Sequence, residues 1–145
     1  MNARNLLEFL RSNRLAVQAS LSHNAPQAAV VGFAISETFE IVFDTLQTTR
    51  KAINLRQNPH IALVIGGLIP GDERTVQYEG IADEPSGKDL ERLREIYYSV
   101  FPEGAGRAHW PGLIYIRVRP NWIRYSDYNQ NPPEIVEFQG HGLRA

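Results

Sequence analysis

Apolar positions in this chain recur with two different periods, and the switches between them mark out its elements. Leu6, Leu7 and Leu10 share a helical face, and Asn5-Leu6-Leu7-Glu8 has the spacing of a capping box, so a short helix ending near Asn13 opens the chain. Leu15 to Leu21 reads as a strand, Ser22 to Pro26 as a turn, and Ala28 to Ile35 as the near-continuous apolar run of a buried strand. Ser36-Glu37-Thr38 turns the chain back into a strand from Glu40 to Phe43. Thr48 to Gln57 is predicted helical and is stopped by Pro59. Ile61 to Ile65, apolar on both faces, fits a central strand, and Thr75 to Ala82 alternates as a strand should.

A second clear helix starts at Ser86, an N-cap residue, with Asp89 in its first turn. Leu90, Leu93, Ile96, Tyr97 and Val100 line one face of it. Ile114, Ile116 and Val118 alternate with Tyr115, Arg117 and Arg119, and Trp122 to Tyr125 forms a last strand after Pro120-Asn121. Residues 129–145 read as an extended C-terminal tail on a single domain spanning 1–145. Most strand links have hairpin length. The expected fold is therefore mainly β with short helices (α+β): six or seven largely antiparallel strands, which can remove their edges by closing into a barrel.

Composition narrows the function classes. With 43% apolar and 21% charged residues, the chain is globular. A net charge of -1 gives no footprint for nucleic acid. The absence of cysteine removes disulfides, thiolate metal sites and cysteine nucleophiles, and fits a reducing compartment. No signal-peptide pattern is seen at Met1 to Arg14, and no apolar run approaches the ~18 residues of a membrane span, so a cytoplasmic protein without membrane contact is expected. His23, His60, His109 and His141 have no ligand spacing, so no metal site is expected.

The densest chemistry lies between Asp44 and Pro59. A strand ends at Asp44-Thr45, and Thr48, Thr49, Arg50 and Lys51 then lead into a helix. Hydroxyls, a guanidinium, an ammonium and free helix amides at one turn suit a phosphate ester. Spacing alone favours Thr48 as a plain N-cap and Arg50-Lys51 as a solvated helix face.

Thr45, Thr49-Arg50-Lys51, Asn54-Leu55 and Asn58-Pro59 together resemble the signature of the pyridoxamine 5'-phosphate oxidase-like family of FMN-binding split β-barrels. Val76 to Ala82 is similar to that family's Val-x-x-Glu-Gly-x-Ala strand, and Arg117-Val118-Arg119-Pro120 before an aromatic is a third match. The resemblance runs from about Asn5 to Tyr125. It implies that Thr49, Arg50 and Lys51 hold the FMN phosphate and that Asp44 and Thr45 line the flavin. The Ala28–Val31 strand, Val30 included, would run beside the ring. Thr75 or Gln77 would donate a hydrogen bond near its pyrimidine end, and Trp122 would pack on the flavin edge. It also implies a homodimer with the cofactor at the interface and a small-molecule redox substrate.

The basic residues that the oxidase proper carries on the Gln27–Gly32 strand are absent here, Thr75 stands where a glutamine is expected, and no Arg-x-His signature closes the chain. The resemblance thus implies a flavin-dependent oxidoreductase with an unassigned substrate and no named catalytic residue. The other readings are a non-catalytic flavin, heme or deazaflavin carrier, or a dimeric barrel without cofactor.

Overall fold

A computed structural model describes residues 1–143. Arg144, which the tail reading included, lies outside the described residues. Among those described, eight strands form one antiparallel sheet: β1 (Leu15–Ser22), β2 (Ala25–Gly32), β3 (Ala34–Ile35), β4 (Ile41–Leu46), β5 (His60–Gly66), β6 (Arg74–Asp83), β7 (Leu113–Asp127) and β8 (Glu134–Phe138). Their order is β2-β1-β5-β6-β7-β4-β3, and β8 pairs with the far half of β7. The sheet curls around a core that includes Phe33, Phe39, Phe43, Leu63, Tyr78 and Ile123. Helix α1 (Ala3–Arg11) plugs one end with Leu6 and Leu10, and its Phe9 ring meets Tyr125 edge-on at 5.5 Å. None of the helices is long and apolar enough to cross a membrane.

The expected half-barrel of antiparallel strands is present, with several boundaries moved. The N-cap of α1 is Asn2, whose side chain accepts from the Asn5 amide at 2.8 Å, so the capping box at Asn5 is not used. The first turn shrinks to His23-Asn24, with His23 at φ 57, and Pro26 sits inside β2. Proline is tolerated there because β2 is a sheet edge. The two late strands are one, and β7 continues through Pro120 by a register shift opposite Glu79/Gly80. Gly80 is required at that shift, since a Cβ there would meet the Arg119 carbonyl oxygen at 2.3 Å. The tail supplies β8 and buries Phe138 and Leu143 against the core.

Two expectations about burial fail in the same region. The Ala28–Ile35 run is buried only from Val31 onward, apart from half-buried Gly32: Ala28, Ala29 and Val30 are exposed on the edge strand, Val30 by 61%. Strand β5 is central in order, yet only its Ile61, Leu63 and Ile65 face is covered, and Val64 is 47% exposed. By register Val30 lies opposite Val17, and Val17 opposite Val64. The outer face of this part of the sheet is therefore an apolar stripe.

Helix α3 (Gly87–Val100) covers the other part. Arg117, nearly fully buried, forks onto Asp83 (2.9 and 2.8 Å), reaches Asp89 at 3.2 Å and lies 3.5 Å from Glu40. Its hydrogen bonds hold the Asp83 and Asp89 carboxyls below their ordinary values.

Candidate functional site

The turn from β4 into helix α2 (Arg50–Gln57) is built by two threonines. Thr45 points inward from β4, with its Oγ1 2.9 Å from Thr49 Oγ1. Thr49, in extended backbone, is the N-cap, a role the spacing had offered to Thr48. Its hydroxyl donates to the Leu46 carbonyl at 2.9 Å and accepts from the Ala52 amide at 3.3 Å. The Thr49 hydroxyl is thus engaged in shaping the turn. Free at the same spot are the exposed Thr48 hydroxyl, the side chains of Arg50 and Lys51, and the backbone amides of those two residues. Neither Arg50 nor Lys51 has a carboxylate partner among the described residues.

Opposite this turn stands the inner face of the β1–β2 hairpin. Asn54, one turn into α2 and buried, donates to Ser20 Oγ at 3.1 Å and to Gln27 Oε1 at 2.7 Å, which docks the helix on the hairpin. A cleft of about 400 Å³ remains between Gln18, Ser20, Gln27 and Ala29 on one side and Thr48 to Lys51 on the other. Gln18 is only 1% exposed, and its Oε1 has no hydrogen-bond partner among the described residues. An unsatisfied buried acceptor of this kind is costly and uncommon.

The other residues singled out in the sequence lie elsewhere. Asp44 alternates away from Thr45: its carboxylate accepts from Tyr97 Oη and from Arg107 Nε, each at 3.1 Å. Burial, and then the Asp44 carboxylate, push the Tyr97 hydroxyl up to about 12. Asp44 therefore braces β4 against α3 and the 3₁₀ turn Pro102–Arg107, and its side chain does not line the cleft. Val30, Thr75 and Trp122 lie on the outer sheet face, as their register with Val64, Gln77 and Glu79 requires. The Trp122 indole donates to Glu137 at 3.3 Å. One chain thus brings together Thr45, Thr49, Arg50 and Lys51 and leaves Val30, Thr75 and Trp122 across the sheet.

Gln18 and Asn54 are the residues that sequence reasoning passed over as side chains of the site. A signal for Gln18 was present. In β1 the polar residues Gln18 and Ser20 alternate with Val17, Ala19 and Leu21, and such alternation ordinarily puts the polar set in water. Here the polar set is inside, facing α2, and the apolar set is outside.

Comparison with known proteins agrees with the fold. The family profile described as pyridoxamine 5'-phosphate oxidase matches residues 3–127. No curated protein matches the sequence. Among solved structures, a heme binding protein from Mycobacterium smegmatis superposes with a TM-score of 0.84 at 15% identity, over 99% of this chain and 60% of that one. The chain thus spans about three fifths of that protein's length. A FAD-binding protein from Mesorhizobium loti gives 0.67 at 17% identity, over 85% of this chain and 92% of that one. HutZ, the heme storage protein from Vibrio cholerae, gives 0.72 at 14% identity, over 83% and 92%. At these identities the structures share the fold alone. The profile match over most of the chain, on a half-barrel with this strand order, establishes that the chain belongs to the pyridoxamine 5'-phosphate oxidase-like split-barrel family.

Proposed function

We propose that the protein binds FMN in the cleft between the β1–β2 hairpin and α2, as a homodimer, and acts as an oxidoreductase on a small molecule. The observation that carries this reading is the unpaired Arg50-Lys51 couple on a capped helix start, facing a buried carboxamide that lacks a partner. Arg50 would take two phosphate oxygens in a fork, Lys51 would add a point charge, and Thr48 and the backbone amides of Arg50 and Lys51 would complete the cage. Thr45 and Thr49 contribute by fixing the turn. When bound, the flavin supplies the redox chemistry, with hydride exchanged at its N5.

The homodimer follows from the split between the two groups of residues. Val30, Thr75 and Trp122 can approach a cleft only on a second copy, and the apolar stripe through Val30, Val17 and Val64 is the surface that a second copy would cover. A FAD-binding structural neighbour supports a flavin. The heme-binding neighbours favour a second reading, in which the same barrel carries heme. Against it, none of the described residues lining this cleft is a histidine. With no cysteine in the sequence, we place the protein in the cytoplasm.

The test is the visible absorption spectrum of the purified protein before and after FMN addition and desalting. Retained flavin bands are expected, together with their bleaching by a reduced nicotinamide if the protein turns over. Arg50→Ala should weaken FMN by about 1.5–3 kcal/mol, the worth of a hydrogen bond to a charged group. Unchanged affinity in that variant would falsify the phosphate assignment.

A further inference from the structure

We infer that the outer sheet face carries a separate small-molecule site, for a primary ammonium on a compact apolar body, whose head is held by Glu79, His60 and Asn121. The site does not depend on the flavin reading. A cavity of about 360 Å³ opens across β1 from the cleft at α2. Ala19 and Ala62, partners by register, form its floor, and Leu21 and Pro26, partners in the hairpin, form an apolar wall. It adjoins the Val30–Val17–Val64 stripe on the side of the hairpin tip.

The polar groups stand opposite that wall. Glu79 pairs with Ala62 by register, and His60 lies two residues before Ala62 in β5, so both side chains rise from the outer face. Asn121 reaches the cavity through the bulge. Gly80 faces Pro120 and Glu79 faces Trp122, which leaves Asn121 between them without a partner in the ladder. Such an extra residue bends the strand and re-aims a side chain, and Asn121 lines the cavity together with Glu79. The side chains of His60, Glu79 and Asn121 are exposed, and none makes a hydrogen bond or ion pair among the described residues.

This set selects the charge of its ligand. A carboxylate, an imidazole nitrogen of neutral histidine and a carboxamide oxygen are all acceptors. A primary ammonium has three N–H donors and no acceptor, and its hydrogen bond to a carboxylate is of the stronger, charge-assisted kind. An anion would meet the Glu79 charge with nothing to offset it: no arginine or lysine lines the cavity, and Arg119 and Arg124 of β7 are engaged with Asp83 at 3.1 Å and Glu137 at 3.5 Å. The alanine floor and the Leu21–Pro26 wall take the hydrocarbon part of the ligand.

The experiment titrates the full, isotopically labelled chain with phenethylammonium and, separately, with phenethyl alcohol, which has the same body and a neutral head. Backbone amide shifts are followed by NMR. Saturable shifts at Ala62, Gly80 and Asn121 are expected with the ammonium, which should bind about fivefold more tightly than the alcohol. Glu79→Gln keeps the shape of the side chain and removes its charge. Glu79 is exposed, so the rest of the amide spectrum should be unchanged in the variant, and the preference for the ammonium should disappear. Absence of saturable shifts at these amides overturns the inference, and so does equal binding of the alcohol by the wild type. Shifts confined to Thr48–Lys51 would put the amine in the other cleft and overturn it as well. A preference that persists undiminished in Glu79→Gln removes the proposed head group contact and the site with it.

Discussion

The two ends of the sheet are built from similar residues and treat water in opposite ways. Around β4 and the first half of β7 both faces are covered: Phe43 and Val118, with Tyr78 of β6, fill the inside, while Leu93 and Tyr97 of α3 close the outside over Val42 and Tyr115. Charged groups there are matched, with Arg117 shared among Asp83, Asp89 and Glu40, and Asp44 between Tyr97 and Arg107. Around β2, β1 and β5 the arrangement is inverted. Valines face solvent, a glutamine with no partner is sealed inside, and a cationic pair stands unpaired at a helix start. A chain folding alone gains nothing from that inversion. The covered end supplies the stability, and the open end is where the proposed ligand and second copy would act.

Breaking the covered end should have the largest effect. Phe43, fully buried, lies at the centre of its core, and Phe43→Ala should cost about 3–5 kcal/mol in urea unfolding. A cost below 1 kcal/mol would show that this end does not carry the stability. Arg117→Met should cost about 1.5–3 kcal/mol by the same measurement, because it leaves the converging carboxylates without their shared partner.

The same variant sharpens the comparison through pH. Asp83 and Asp89 titrate below their ordinary values in the folded protein, so their contribution is present above the usual carboxylate range and is lost as pH falls through the depressed values. The wild-type melting temperature should therefore hold down to about pH 4 and fall below it, while the variant, lower at neutral pH, should show a shallower acid decline. Parallel melting curves for the two proteins would count against the Arg117 cluster as the cause.

The open end predicts a smaller effect that is confined to assembly. Val64→Asp places a charge in the apolar stripe and should weaken the proposed dimer at least about tenfold by sedimentation, with little change in how the barrel of a single chain melts. An unaltered association constant would move the interface to another surface.

Much of this molecule was legible in the residues. Period-two alternation located most strands, Pro59 and Ser86 bounded helices, and Thr45 to Lys51 marked the site because strand, turn, cation pair and helix succeed one another within a few residues. Local rules failed where a partner distant in sequence decides the outcome. The C-terminal segment gave no strong strand pattern, yet it pairs with β7 because that long strand offers a free edge beyond the end of β4. Asp44 looked like a site residue and became a brace, since Tyr97 and Arg107, both far along the chain, reach its carboxylate first.

The sequence by itself determined most of the elements, the strand-to-helix turn at Thr45 to Lys51 and the family, because each depends on neighbours in the chain: capping, turn residues, alternation and motif spacing. Only the tertiary structure decided which face of the β1–β2 hairpin is inside. An alternating strand has two faces, and its own residues would have turned Val17 and Ala19 inward and Gln18 and Ser20 out. Asn54 of α2, by bonding Ser20 and Gln27, fixed the opposite choice, and with it placed an unpartnered carboxamide in the cleft and an apolar stripe on the surface.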